Sequence, residues 1–248
     1  MRNIWTIAKR EYEHYFISPI AYVLAGGILL LLGGYFAAVL ASANQQSMFG
    51  GGYTPDVVPI NSLFAFLMVL VVPALTMRLL ADENRSGTIE LMLTSPVRDF
   101  ELVTGKWLGS FLFMLTIIAI TLIYPIILNR LVTPGIDQVV MTTSYLGLIL
   151  IAASFLAVGT GISAMFSNQI AAFFVSLVAL LALWWLFGLP ANFISTGSDF
   201  FNYLVVGTHV DGTLNAGLIK LSDIIYFLSL IAVGLFTGTM AIESRRWR

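Results

Sequence analysis

The sequence predicts an all-α membrane protein with six transmembrane helices. Three observations carry the prediction. The 248 residues are 58% hydrophobic and only 10% charged, the mean hydropathy is +0.92, and the apolar residues gather in long uncharged runs parted by short polar segments. A surface of that composition would not stay in solution, and in hydrocarbon the helix satisfies its own backbone polar groups. A single domain over residues 1–248 is expected. With no cysteine, disulfides, thiolate metal sites and cysteine nucleophiles are excluded. Two histidines make no case for a metal cluster.

Residues 1–19 read as an amphipathic interfacial helix rather than a span. At about 100° per residue, Ile4, Trp5, Ala8, Tyr12, Tyr15 and Phe16 share one face, while Arg2, Thr6, Lys9, Arg10, Glu13 and His14 share the other. Ile7 and Glu11 break the pattern. Glu11 reads either as a solvated carboxylate at the helix margin or as a contact to a neighbouring protein.

Residues 20–40 are uncharged and, at ~1.5 Å per residue, cross a hydrocarbon core of ~30 Å. Ala41-Ser42-Ala43 mimics a signal-peptidase site, but the run exceeds a signal peptide's usual length and follows an ordered arm, so it is expected to be retained as the first span. Residues 44–59, with Gly50-Gly51-Gly52 and two prolines, make an external loop. Residues 60–80 form the second span, in which Pro73 predicts a kink and Arg78 lies close enough to the end to snorkel.

The stretch 81–100, ADENRSGTIELMLTSPVRDF, is the one long charge-dense segment inside an otherwise apolar chain. It must lie in water between two spans. Ser86 as N-cap, Glu90 near the positive end of the helix dipole, and Ile89, Met92 and Leu93 at helical spacing predict a short helix with one apolar face, stopped by Pro96. On the residues alone it is either a solvated loop or a docking helix for a soluble partner.

Residues 102–128 contain the third span, with Lys106 and Trp107 marking its start at the interface. Pro134-Gly135 makes a short external turn. Residues 139–166 hold the fourth span, where Gly147, Ala152, Ala153, Ser154, Gly159 and Gly161 permit close helix contact. After the polar turn Ser167-Asn168-Gln169, residues 170–189 form a fifth span. Residues 191–220 are too polar and glycine-broken to cross. Their apolar piece, 200–206, capped by Ser198 or Asp199, predicts an external lid or re-entrant element packed against protein. His209 reads as ordinary loop surface. Residues 221–242 are the sixth span, and a basic tail follows.

Placing both termini and the loops after the second and fourth spans in the cytoplasm puts Arg2, Lys9, Arg10, Arg78, Arg85, Arg98, Lys106, Arg245, Arg246 and Arg248 inside. Arg130 and Lys220 remain outside. Ten against two is a strong positive-inside bias. No P-loop is present, since Gly105-Lys106 is followed by Trp107 and lacks the upstream glycine, and neither HExxH nor Gly-x-Ser-x-Gly occurs. Among ionisable groups inside the spans only Arg78 and Asp223 stand out, both near span ends, so an ion-driven carrier is disfavoured and the energy source is expected in another subunit.

The run from Asp82-Glu83-Asn84-Arg85-Ser86-Gly87-Thr88-Ile89-Glu90-Leu91 through Thr94-Ser95-Pro96-Val97 resembles the first cytoplasmic loop of type-2 ABC transporter permeases. The segment AKREYEHYFISPIAYVL is similar to the start of permease subunits of the gliding-motility-type branch, and Gly217-Leu218-Ile219, Asp223 and Tyr226 resemble the block that opens that family's last span. After His209, Val210 stands where relatives tend to carry an aromatic residue, so no role passes to either.

The resemblance implies that residues 82–100 are a coupling segment that docks on a cytoplasmic ABC ATPase dimer, with Glu83, Arg85, Ser86, Gly87, Thr88, Glu90, Leu91, Thr94 and Pro96 as ATPase-coupling residues and Lys9, Arg10 and Glu11 as contacts of the interfacial helix. Glu83 and Glu90 would pair with basic groups on the motor or with Lys9 and Arg10, and Gly87 would permit a tight turn. It further implies an external re-entrant element at 191–220, a second permease subunit, identical or related, and a bacterial or archaeal inner membrane. No catalysis, cofactor or metal is expected in this chain. ATP and Mg would be bound by the partner ATPase, membrane lipid is a further partner, and no nucleic acid is expected. The implied function is the permease of an ATP-driven exporter. The alternative is a membrane anchor or force-transmitting scaffold that couples an ATPase to an extracytoplasmic protein.

Overall fold

A computed structural model describes residues 2–48, 55–86, 97–193 and 197–246. The described residues form helices and connecting turns. Six helices are long and apolar enough to cross a membrane: Pro19–Gln45, Val58–Ser86, Asp99–Leu131, Gln138–Met165, Gln169–Asn192 and Leu221–Ser244. The six expected spans correspond to these in order.

Helix α1 (Arg2–Ile17) leads through Ser18 into α2 (Pro19–Met48), which runs further than the 20–40 expected and takes up part of the predicted external loop. Helix α3 (Val58–Thr76) carries Pro73 inside it. The chain does not break at the proline. It breaks one turn later, at residues 77–80, and resumes as α4 (Ala81–Ser86). Helices α5 (Asp99–Thr121) and α6 (Ile123–Leu131) make the third span, and α7 (Gln138–Met165) the fourth. Asp137 caps α7 by accepting from the Val139 and Val140 amides, at 2.8 and 3.3 Å. Asn168 does the same for α8 (Gln169–Trp184), accepting from Ile170 and Ala171 at 2.9 and 3.4 Å. These two short polar side chains satisfy helix-start amides that would otherwise lack partners.

Helix α7 is the centre of the molecule, packed against α3, α5, α8 and α11 (Leu221–Arg246). The small residues predicted to allow close contact are used that way. A Cβ on Gly161 would lie 2.5 Å from the Gly234 carbonyl oxygen of α11, one on Gly234 would lie 2.5 Å from the Ala157 carbonyl carbon of α7, and Gly159 abuts Thr76 of α3. Buried polar groups bridge the same helices. Asn61 donates to Ser144 Oγ at 2.9 Å, and Tyr145 donates to the Thr121 carbonyl at 2.9 Å. In hydrocarbon such contacts fix the relative placement of spans that have no hydrophobic drive to associate.

The fifth span ends in a 3-10 turn (Leu186–Asn192), and between it and the sixth lie α9 (Ser198–Leu204), α10 (Val206–Asp211) and a second 3-10 turn (Leu214–Ala216). The predicted apolar piece 200–206 is thus two short helices joined at the extended residue Val205. The residue at the N-cap of α9 is Gly197, at φ 93°, and not Ser198 or Asp199, which are its first helical residues. His209 is buried rather than surface. Its Nδ1 lies 2.8 Å from Asp223 Oδ1 and its Nε2 2.8 Å from the Tyr203 carbonyl, with the Tyr226 ring stacked at 4.2 Å. Thr213 donates to Asp223 Oδ2 at 2.7 Å. This polar knot ties the short helices to the start of the sixth span.

Candidate functional site

The candidate site is the junction of the N-terminal arm, the end of the second span and the start of the third. Helix α1 lies lengthwise along α5: Asn3 donates to Glu101 at 3.1 Å, and Tyr12 reaches Thr116 Oγ1 at 3.0 Å. Two glycines one turn apart make this possible. A Cβ on Gly105 would lie 2.7 Å from Ile7 Cβ, and one on Gly109 would lie 2.6 Å from Glu11 Cβ. The arm is therefore a packed element of the protein. Ile7 and Glu11, the two breaks in the amphipathic pattern, belong to the face that meets α5, while Trp5 and Phe16 are exposed. Tyr15 is buried against Phe113, and its hydroxyl donates to the Leu75 carbonyl at 3.3 Å. Burial, with the Glu11 carboxylate nearby, raises its phenol well above the usual value and keeps it a neutral donor.

Lys106 sits at the centre. It is 5% exposed, and its Nζ lies 2.8 Å from Glu83 on α4 and 3.4 Å from Glu11 on α1. Lys106 and Trp107, expected to mark the start of the third span at the interface, are both drawn into contacts within the protein. Lys106 is inside the protein, and the half-buried Trp107 donates its indole N–H to the Ala153 carbonyl of α7 at 2.9 Å. The physical reason is Gly105. Bare backbone at Gly105 and, one turn on, at Gly109 lets α1 close over α5, which removes the lysine from water and leaves carboxylates as its compensation.

Helix α4 is held equally closely on its other side. Ser163 Oγ of α7 accepts from the Leu80 and Ala81 amides, each at 3.2 Å, where the helix restarts. Asn84 donates to the Ala164 and Phe166 carbonyls at 3.1 and 3.0 Å, covering the carboxyl end of α7. Glu83 Oε2 and Asn84 Oδ1 are buried without a hydrogen-bond partner among the described residues. Between α1, the α3–α4 break and α5 lies a cavity of about 670 Å³, walled by Ile7, Leu75 and Leu79 and by the charged Arg10, Arg78, Asp82 and Glu83.

Of the residues predicted to couple, Glu83 is half-buried and pairs with Lys106, not with Lys9 or Arg10. Arg85 and Ser86 are exposed at the end of α4. Ser86 lies at the end of α4, its hydroxyl donating to the Asp82 carbonyl at 2.8 Å, and the helix it is expected to start falls outside the described residues. Gly87, Thr88, Glu90, Leu91, Thr94 and Pro96 lie outside the described residues. Lys9 pairs with Glu13 one turn on, at 3.8 Å with both side chains exposed. Arg10 lines the cavity. Glu11 is not a solvated carboxylate at the helix margin, because it is largely covered and lies 3.4 Å from Lys106.

Lys106 and the glycines beside it were missed by sequence reasoning. The signal available was Gly105-x-x-x-Gly109, a small-residue spacing that marks close helix contact.

Three chain segments, α1, α4 and α5, meet on one buried ammonium. No curated protein matches the chain. The family model described as ABC-2 family transporter protein matches residues 5–229, which takes in most of the arm, the Glu11–Glu83–Lys106 cluster and the start of the sixth span. With that match and six helices of membrane length, the chain belongs to the ABC-2 transporter family, as a multi-pass membrane component of an ABC transporter.

Proposed function

We propose that this chain is the permease subunit of an ATP-driven exporter, similar to the gliding-motility-type branch, and that it is worked by separate cytoplasmic ATPases docking on residues 82–100. The observation that carries the reading is the Glu83–Lys106–Glu11 cluster. It links the first turn of the segment that resembles a coupling loop to both the arm and the third span. Force applied at that segment therefore reaches the spans through charged contacts and a packed helix pair.

In this reading residues 1–248 are one permease domain in a bacterial or archaeal cytoplasmic membrane, beside a second permease, identical or related. The ATPases bind ATP and Mg. Both termini lie in the cytoplasm, as the distribution of basic residues requires. The helix Asp99–Leu131 is 33 residues long, against the roughly 20 a bilayer needs. Its first turns, with α1 laid along them, then project on the cytoplasmic side, while residues 191–220 form the external re-entrant element. Glu83, Arg85, Gly87, Thr88 and Glu90 are the residues assigned to coupling.

The absence of cysteine makes the topology directly testable. Arg85 and Arg130 are both exposed. In intact cells a membrane-impermeant maleimide is expected to label Arg130→Cys and to spare Arg85→Cys until the membrane is opened. A maleimide–benzophenone reagent, photolysed in opened membranes, is expected to join Arg85→Cys to a protein carrying a P-loop. Labelling of Arg85→Cys in intact cells would contradict the orientation, and failure of any P-loop protein to crosslink would count against docking at this segment.

A further inference from the structure

We propose that Lys106 is the positioning residue of the coupling joint, holding the ATPase-facing segment in register with the third span and passing displacement of α4 on to α5. The proposal rests on the reading that an ATPase docks on residues 82–100, and it adds a residue that neither the resemblance nor the family match assigns.

The two sides of the joint are built differently. Helices α1 and α5 approach to backbone distance at Gly105 and Gly109, so they must move as one body. Helix α4 is fixed to α7 through Ser163 and Asn84, and it reaches α5 through the ion pair of Glu83 with Lys106 at 2.8 Å. The ammonium has three donors on a flexible stem and faces two carboxylates, one on each side. The nearer belongs to the α4 side, and the farther, Glu11 at 3.4 Å, to its own body. The cluster holds one cation against two anions, and Glu83 Oε2 has no partner among the described residues. Lys106 cannot be left unpaired where it is, because a lone buried charge is heavily penalised. A shift of α4 must therefore either drag α5 with it or hand the ammonium from Glu83 to Glu11. The first moves the third span in step with the segment, and the second releases it.

The test uses the chain together with its copurified ATPase in lipid nanodiscs, with ATP as the probe. Lys106→Met keeps the length of the stem and removes the charge. We expect the same amount of ATPase per chain but a hydrolysis rate shifted from wild type on the order of tenfold. The exchange Lys106→Glu with Glu83→Lys is expected to return the rate toward wild type, a rescue that loss of packing alone would not show. Should Lys106→Met fail to accumulate, Glu83→Gln takes its place with the same expected shift, since it leaves the Glu11–Lys106 pair intact. Wild-type hydrolysis in the charge-removed variant, or a folded exchange variant that stays deregulated, would overturn the assignment of Lys106 while leaving the permease reading standing. If no ATPase accompanies the wild type, the permease reading falls, and this inference with it.

Discussion

Replacing Gly234 by leucine is expected to abolish accumulation of folded protein in the membrane. A Cβ at this position would lie 2.5 Å from the carbonyl carbon of Ala157, 2.7 Å from its oxygen and 2.7 Å from the Val158 nitrogen. All three atoms are backbone of α7, so no side chain can rotate away. Forced overpacking costs about 1–3 kcal/mol where neighbours can adjust, and here the adjustment is separation of two whole helices. The effect is large because α7 and α11 share the most extensive contact in the molecule and Gly161 meets Gly234 from the other side. Gly34→Leu on α2 is the control, since nothing lies within 4 Å of its Cβ position. Fluorescence-detected size exclusion of tagged variants should show a monodisperse peak for Gly34→Leu and loss of it for Gly234→Leu. Equal peaks would show that α7 and α11 do not cross there.

Asp223→Ala should be nearly as damaging, by a different route. Both ring nitrogens of His209 face oxygens: Nδ1 the Asp223 carboxylate and Nε2 the Tyr203 carbonyl. A carbonyl can only accept, so Nε2 carries a proton, and the Nδ1 contact needs a second one, on the ring or on the carboxyl. Removing the aspartate strands a buried imidazole, while the Thr213 hydroxyl keeps the His209 carbonyl as an acceptor. Breaking one side of a buried charged pair costs about 3–5 kcal/mol. Thr213→Ala, which loses a single hydrogen bond, should cost about 1 kcal/mol. Thermal unfolding in detergent is the measurement, with limited chymotrypsin digestion within residues 191–220, which hold Phe200, Phe201 and Tyr203, as the local readout. The expected order of stability is wild type, Thr213→Ala, then Asp223→Ala. An Asp223→Ala protein that unfolds with wild type would mean the knot does not hold the short helices to the sixth span.

The spans were legible because apolar runs of membrane length leave the backbone one economical solution, and Gly159 and Gly161 announced close packing by size alone. The joint was not legible. Its charges come from residues 11, 83 and 106, and local sequence around Lys106 reads equally well as an interface lysine beside a tryptophan. Only the approach of α1 at Gly105 and Gly109 distinguishes the two. His209 was misread for a similar reason. It sits in a polar stretch, and its burial arises from short helices folding back onto Tyr226 and Phe227.

The central claim is that an external motor drives these spans through residues 82–100. The most direct measurement is copurification of the tagged chain in a gentle detergent, with ATP hydrolysis assayed for wild type and for Glu83→Ala combined with Glu90→Ala. A P-loop ATPase should accompany the wild type and be lost or deregulated in the double variant. If no ATPase accompanies the chain under several solubilisation conditions, or if the double variant binds and regulates it as wild type does, coupling through this segment is contradicted.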